Sequence, residues 1–202
     1  MAERVVPCTS CHGKEGRATS EGYFPRIAGK PARYLYNQLL NFREGRRHYA
    51  LMTYLVDHLT DAYLQEIALY FAALNLPYPP PQPASGPPAL RARGEALVRH
   101  GDANRGIPAC VECHSDNLMG TLPSIPGLLG LSRDYLHGQL GHWQTGARRA
   151  HPPDCMAKIA AKLTAEDIAA LAVWIAAQPV PAGGAPAQAS QALSMDCGGL
   201  SR

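Results

Sequence analysis

The chain is poor in charge and in aromatics, which make up 17% and 7% of its 202 residues. No run of lysines or arginines is interleaved with aromatics, so the usual footprint of a nucleic-acid surface is missing. The formal net charge of +3 leaves any electrostatic steering to local patches. No window approaches ~18 consecutive apolar residues, the length that a membrane-spanning helix needs. The opening, MAERVVPC, has neither the apolar h-region nor the cleavage site of a secretory leader. Alternating apolar and polar positions are also absent, which argues against strands and predicts an all-α fold.

Proline, by contrast, is concentrated. Leu76 to Pro88, LPYPPPQPASGPP, holds seven prolines and reads as an extended spacer. It divides the chain into 1–76, a linker at 77–88 and a second unit at 89–178. The segment 179–202, rich in Pro, Ala, Gly and Gln, has no periodic apolar face and is expected to be a poorly ordered tail.

The two units repeat each other. FPRIAGKPARYLYNQLLNFREGRR from Phe24 matches IPGLLGLSRDYLHGQLGHWQTGAR from Ile125, with Pro25/Pro126, Gly29/Gly130, Tyr34/Tyr135, Gln38/Gln139, Phe42/Trp143 and Gly45/Gly146 in register. MTYLVDHLTDAYLQEIALYFAAL from Met52 then matches MAKIAAKLTAEDIAALAVWIAAQ from Met156 after a register shift of three. Pro31 suits a helix start, and Ser132 and Thr60 suit caps. Thr164-Ala165-Glu166-Asp167 has the form of a capping box. Apolar positions at Leu64, Ile67, Ala68, Phe71 and at Ile168, Leu171, Ala172, Ile175 mark one buried face of a closing helix in each unit.

Four of the six cysteines stand in two copies of one pattern, CTSCH at Cys8, Cys11, His12 and CVECH at Cys110, Cys113, His114. Two thiols at this spacing can meet both vinyl groups of a haem, and the following imidazole reaches the iron from the same side. One such match is expected by chance in roughly one chain in a hundred, and two far more rarely. A zinc site made from both CxxC pairs is the rival reading, but zinc gives no reason for a histidine in each copy. A thioredoxin-like redox pair lacks its βαβ surroundings.

A haem iron held by His12 or His114 has a second axial position. The repeat nominates Met52, 40 residues after His12, and Met156, 42 residues after His114. Their thioethers are soft ligands that favour ferrous iron; packing methionines are the alternative. His48 and His151, just before these methionines, are rival ligands. Pro25 and Pro126 are placed to offer carbonyls to the proximal histidines. Arg43, Arg46 and Arg47, with Arg148 and Arg149, read as a solvated loop face or a docking patch.

Together, the paired CxxCH motifs, the FPRIAG and Q-L-x-x-F-x-x-G elements, the methionines and the LT-initiated closing helices resemble dihaem cytochromes of the c4 type, over about Val5 to Gln178. The resemblance implies two tandem class I cytochrome c domains, each a small helical bundle around one covalently bound haem c. It implies thioether anchors at Cys8, Cys11, Cys110 and Cys113, axial ligands at His12, Met52, His114 and Met156, and no catalytic residue. It implies a periplasmic electron carrier, exported by a signal outside this numbering and free or membrane-associated. Its redox partners would be a quinol-oxidising complex and a terminal oxidase, or else a specific dehydrogenase. The chain departs from the pattern in a short first helix and in Cys155 and Cys197, two thiols able to pair in an oxidising compartment. Cys155, beside Met156, also opens the option of a sulfur-oxidising dihaem enzyme that resembles thiosulfate dehydrogenases and uses a thiolate ligand.

Overall fold

A computed structural model describes residues 1–189 and 193–200; the remainder of the expected tail, 190–192 and 201–202, lies outside the described residues. Helices dominate, as the missing strand pattern predicts. The N-terminal half contains α1 (Val6–His12), α2 (Ala32–Arg43), α3 (Ala50–Val56) and α4 (Asp61–Ala72). The C-terminal half contains α5 (Pro88–His100), α6 (Cys110–His114), α7 (Arg133–Thr145), α8 (Cys155–Ala160) and α9 (Ala165–Ala176). Two short strands, β1 (Gly120–Thr121) and β2 (Ile125–Pro126), pair antiparallel in the C-terminal half.

Local chemistry sets the helix starts. Pro31 immediately precedes α2. Thr60, Ser132 and Thr164 each accept a bond from the amide three residues on, and Thr164 with Asp167 completes a capping box. α4 buries Leu64, Ile67, Ala68 and Phe71, and α9 buries Ile168, Leu171, Ala172 and Ile175, the faces that the periodicity marked. In the C-terminal half α5 crosses α9 at Gly94, where an added Cβ would lie 2.3 Å from the Ala170 carbonyl oxygen. The N-terminal half has only a 3₁₀ turn, Ala2–Val5, before α1; it buries Val5, and Arg4 pairs with Glu66 of α4 at 3.0 Å.

The proline spacer is extended but not loose. Arg26 donates to the carbonyls of Leu76 and Pro77 at 2.7 and 2.9 Å, and its guanidinium lies 4.0 Å from the centre of the Tyr78 ring. From the other half, the Ala176 carbonyl accepts from the Gln82 amide at 2.9 Å.

The arginines expected on a solvated face include two buried ones, a correction to the sequence reading. Arg47 and Arg148 lie where the halves meet, 9% and 5% exposed, bridged in antiparallel fashion. Each crosses the junction: Arg47 donates to Gln38, Gln139 and Tyr135, and Arg148 to Gln139, Gln38 and Tyr34. Adjacent arginines in a loop read as exposed because sequence does not show the second half folding back onto the first.

The segment after Pro179 also differs from expectation. Ala187 exchanges two 2.8 Å backbone bonds with Gly120 and Leu122 at the edge of β1, and Cys197 is disulfide-bonded to Cys155. Gly198 donates to the Pro153 carbonyl, and Asn37 of α2 donates to that of Gly199. A segment with no apolar period is held here by backbone pairing and a covalent link, neither of which leaves a periodic signal.

Candidate haem-binding site

In α1 and α6 the helical turn carries Cys8 and Cys11, or Cys110 and Cys113, one turn apart, with the histidine next in sequence. The chain then leaves the helix with positive φ, at Gly13 (+75°) and at Ser115 (+68°). At Gly13 the space is closed as well, since a Cβ would approach the Ala18 carbonyl oxygen to 2.2 Å.

Both histidines are buried, and each ring is held from behind. His12 Nδ1 lies 2.8 Å from the Pro25 carbonyl oxygen, and His114 Nδ1 lies 2.7 Å from that of Pro126. A carbonyl can only accept, so Nδ1 carries the proton and Nε2 keeps its lone pair. Burial pushes both imidazoles below the usual histidine range, and the nearby charges of Arg47 on His12 and Lys30 on His114 act in the same direction. The neutral, oriented imidazole is the form that binds a metal.

None of the four motif cysteines is disulfide-bonded to its CxxC neighbour, so each sulfur is available to a tether. Burial pushes the Cys8 and Cys113 thiols up and that of Cys110 up to about 12, so these are not activated thiolates. Among the described residues no three His, Cys, Asp or Glu side chains converge as metal ligands, which leaves the paired-knuckle zinc reading without its site.

A single cavity runs through both halves. All eight residues singled out from the sequence line it: Cys8, Cys11, His12 and Met52, and Cys110, Cys113, His114 and Met156. The methionines sit near the starts of α3 and α8, short helices that the sequence reading passed over in favour of the longer ones that follow. His48 and His151 line the cavity too; His48 is exposed, and His151 Nδ1 lies 3.0 Å from the Pro152 carbonyl oxygen. Cys155 also lines it, but its sulfur is bonded to Cys197, which removes the thiolate needed for the sulfur-oxidising option.

The walls fit a porphyrin with acidic side chains. Leu35, Leu55, Val56, Ile67 and Phe71 line the N-terminal part, with Leu97, Leu136, Ile159, Leu171 and Ile175 opposite. Trp143 Nε1 and Ser124 Oγ are buried in this wall without hydrogen-bond partners among the described residues. Arg26, Lys30, Arg47 and Arg148 are buried cations in the same wall, and no carboxylate is paired with any of them among the described residues. Their hydrogen bonds run to neutral carbonyl, amide and phenol groups, which leaves the charge uncompensated and suits a ligand that brings anionic oxygen.

The tethering and axial candidates were legible in sequence; the cationic wall was not. Tyr34/Tyr135 and Gln38/Gln139 did stand out as in-register pairs, and they are the partners of the buried arginines. The same register aligns Arg47 with Arg148, which was the available signal.

No protein-family model matches the chain. It is 36% identical over 177 residues to a thiosulfate dehydrogenase electron acceptor from Thiomonas intermedia, covering 87% of this chain and 80% of that protein. It is also 36% identical over 174 residues to cytochrome c4 of Pseudomonas aeruginosa, covering 85% and 84%. The crystal structure of reduced recombinant cytochrome c4 from Pseudomonas stutzeri superimposes with a TM-score of 0.75 at 34% identity, over 87% of this chain and 95% of that one.

Proposed function

The chain belongs to the cytochrome c4 family of dihaem electron-transfer proteins, and on that footing we propose an assignment for each residue of its two centres. Cys8 and Cys11 tether one haem c and Cys110 and Cys113 the other. His12 and Met52 are the axial ligands of the first iron, and His114 and Met156 those of the second. The observation that carries this reading is the twofold one: behind each CxxCH a buried imidazole is fixed by a proline carbonyl, in a cavity that also holds the repeat-related methionine.

The haem supplies a one-electron centre. The protein orients the imidazole through Nδ1, would offer the iron a thioether as well, and lines the cavity with apolar side chains that would exclude water from the ring. With both axial positions filled, outer-sphere transfer is favoured over bond chemistry. Arg47, Arg148 and Trp143 would be the groups available to the acidic side chains of the rings. The units 1–76 and 89–178, joined by 77–88, act as one carrier through the Arg47–Arg148 junction.

We further infer a periplasmic setting, since thioether attachment requires export and the Cys155–Cys197 disulfide suits an oxidising compartment. The donor is a dedicated dehydrogenase or a quinol-oxidising complex, with a terminal oxidase downstream. Similarity to a protein named as the electron acceptor of a thiosulfate dehydrogenase favours the dehydrogenase. The test is made on protein matured in a host that attaches haem c. Mass analysis should find two haems per chain, and the ferrous protein should bind no carbon monoxide at neutral pH. An unmodified chain, or rapid stoichiometric binding of the gas, overturns the assignment.

A further inference from the structure

Lys30 breaks the symmetry of the repeat. Its in-register mate is Leu131, so only the N-terminal half places an ammonium here. The side chain is buried, 3% exposed, and lines the cavity. Its one hydrogen bond leaves its own half: Nζ donates to the Gly127 carbonyl at 2.7 Å, 97 residues along the chain. An ammonium has three protons to donate, and two have no partner among the described residues.

The carbonyl that it grips is next to the one behind the C-terminal histidine. Pro126, whose oxygen holds His114 Nδ1, directly precedes Gly127. Gly127 itself lies tight against the Met119 backbone, with room for no Cβ: an added one would sit 2.5 Å from the Met119 carbonyl oxygen. The shelf is therefore fixed on one face by Met119 and on another by Lys30. The ammonium is thereby held one residue from the carbonyl that fixes His114.

We propose that Lys30 is a cross-domain positioning residue: from the N-terminal half it secures the Pro126–Gly127 shelf behind His114 and places its buried positive charge on the side of the C-terminal centre. A fixed cation opposes the extra positive charge of ferric iron, so it raises the reduction potential of that centre.

This inference rests on the axial assignments above, and the experiment separates the two. Redox titration of the dihaem protein followed by visible absorbance is run at about pH 6, below the value of about 7 to which burial and neighbouring Arg26 depress the ammonium. Met52→Ala and Met156→Ala first assign the steps, each lowering one midpoint; if neither does so, the ligand assignment itself fails. With the steps assigned, Lys30→Met should lower the Met156 step and leave the Met52 step in place. Lys30→Arg, which keeps the cation, should stay close to the parent. An unmoved Met156 step, an equal fall of both steps, or a fall in Lys30→Arg as large as in Lys30→Met overturns the proposal. If Lys30→Met fails to mature, Lys30→Gln carries the same prediction.

Discussion

A histidine whose Nδ1 proton is held by a carbonyl has one lone pair left to offer, and both His12 and His114 are in that state. Whether an iron bound there is closed turns on what stands opposite that lone pair. If Met52 and Met156 fill the opposite positions, removing either thioether opens one centre and leaves the other intact. Ferrous Met52→Ala and Met156→Ala should each bind one carbon monoxide per chain, and each ferric variant should lose about half of the methionine-to-iron charge-transfer absorbance. Unchanged spectra in either variant would return that methionine to packing, with His48 or His151 as the ligand to test next. These residues were readable in advance because covalent attachment demands a fixed spacing and the repeat doubles the signal. Lys30 and the Arg47–Arg148 pair were not, because their burial comes from contact between halves and leaves no trace in local pattern. Cys155 and Cys197 were readable as a pair able to bond, while the geometry that brings them together needed the fold.

Elements were legible where an amphipathic period coincided with a cap. α2, α4, α7 and α9 begin at the Pro, Thr, Ser and Thr that the sequence singled out. α3 and α8 were overlooked because a helix of six or seven residues shows fewer than two turns of period, too short to register against a following long helix. β1 and β2 were missed for the same reason, each having two residues. The start of α9 is anchored by more than its cap. Asp167, 3% exposed, closes the capping box with Thr164 and accepts from Arg93 at 2.9 Å and Arg105 at 2.7 Å, joining α9 to α5 and to the turn before α6. The two guanidiniums and the Thr164 amide outweigh burial and hold its carboxyl well below the usual carboxylate range. A depressed folded-state value means that the stabilisation is complete above the unfolded carboxylate range near pH 4 and is lost as pH falls below it. Asp167→Asn should therefore cost about 2–3 kcal/mol at pH 7, between the loss of a cap and of a buried pair. Chemical denaturation over a series of pH values checks it: the difference between parent and variant should be largest at pH 7 and shrink progressively as pH falls below about 4.

At the scale of the whole molecule the two halves share a cavity, a cationic junction and a strap. The strap runs from the end of α9 past the β1 edge and, through Cys197, back to the helix that carries Met156. Leu193, Met195 and Leu200 line the cavity from this segment, while Gly199 is held by Asn37 of α2 in the other half. Among the described residues no such link reaches the N-terminal methionine, and Leu51 beside it, at the position that aligns with Cys155, is 48% exposed. The duplication has thus produced two unequal centres, one open at its methionine edge and one strapped. The disulfide closes a separation of 42 residues, for which loop entropy predicts a contribution of about 2–4 kcal/mol. Its role is then structural, and the thiol chemistry that a free Cys155 would bring plays no part in ligation. The double variant Cys155→Ser/Cys197→Ser should retain two haems per chain and the full methionine charge-transfer absorbance, while its denaturation midpoint falls by an amount matching that stabilisation. Loss of the absorbance from one centre would instead make the disulfide a support of the Met156 bond, and an unchanged midpoint would mean that the strap is held by its backbone pairing with β1 alone.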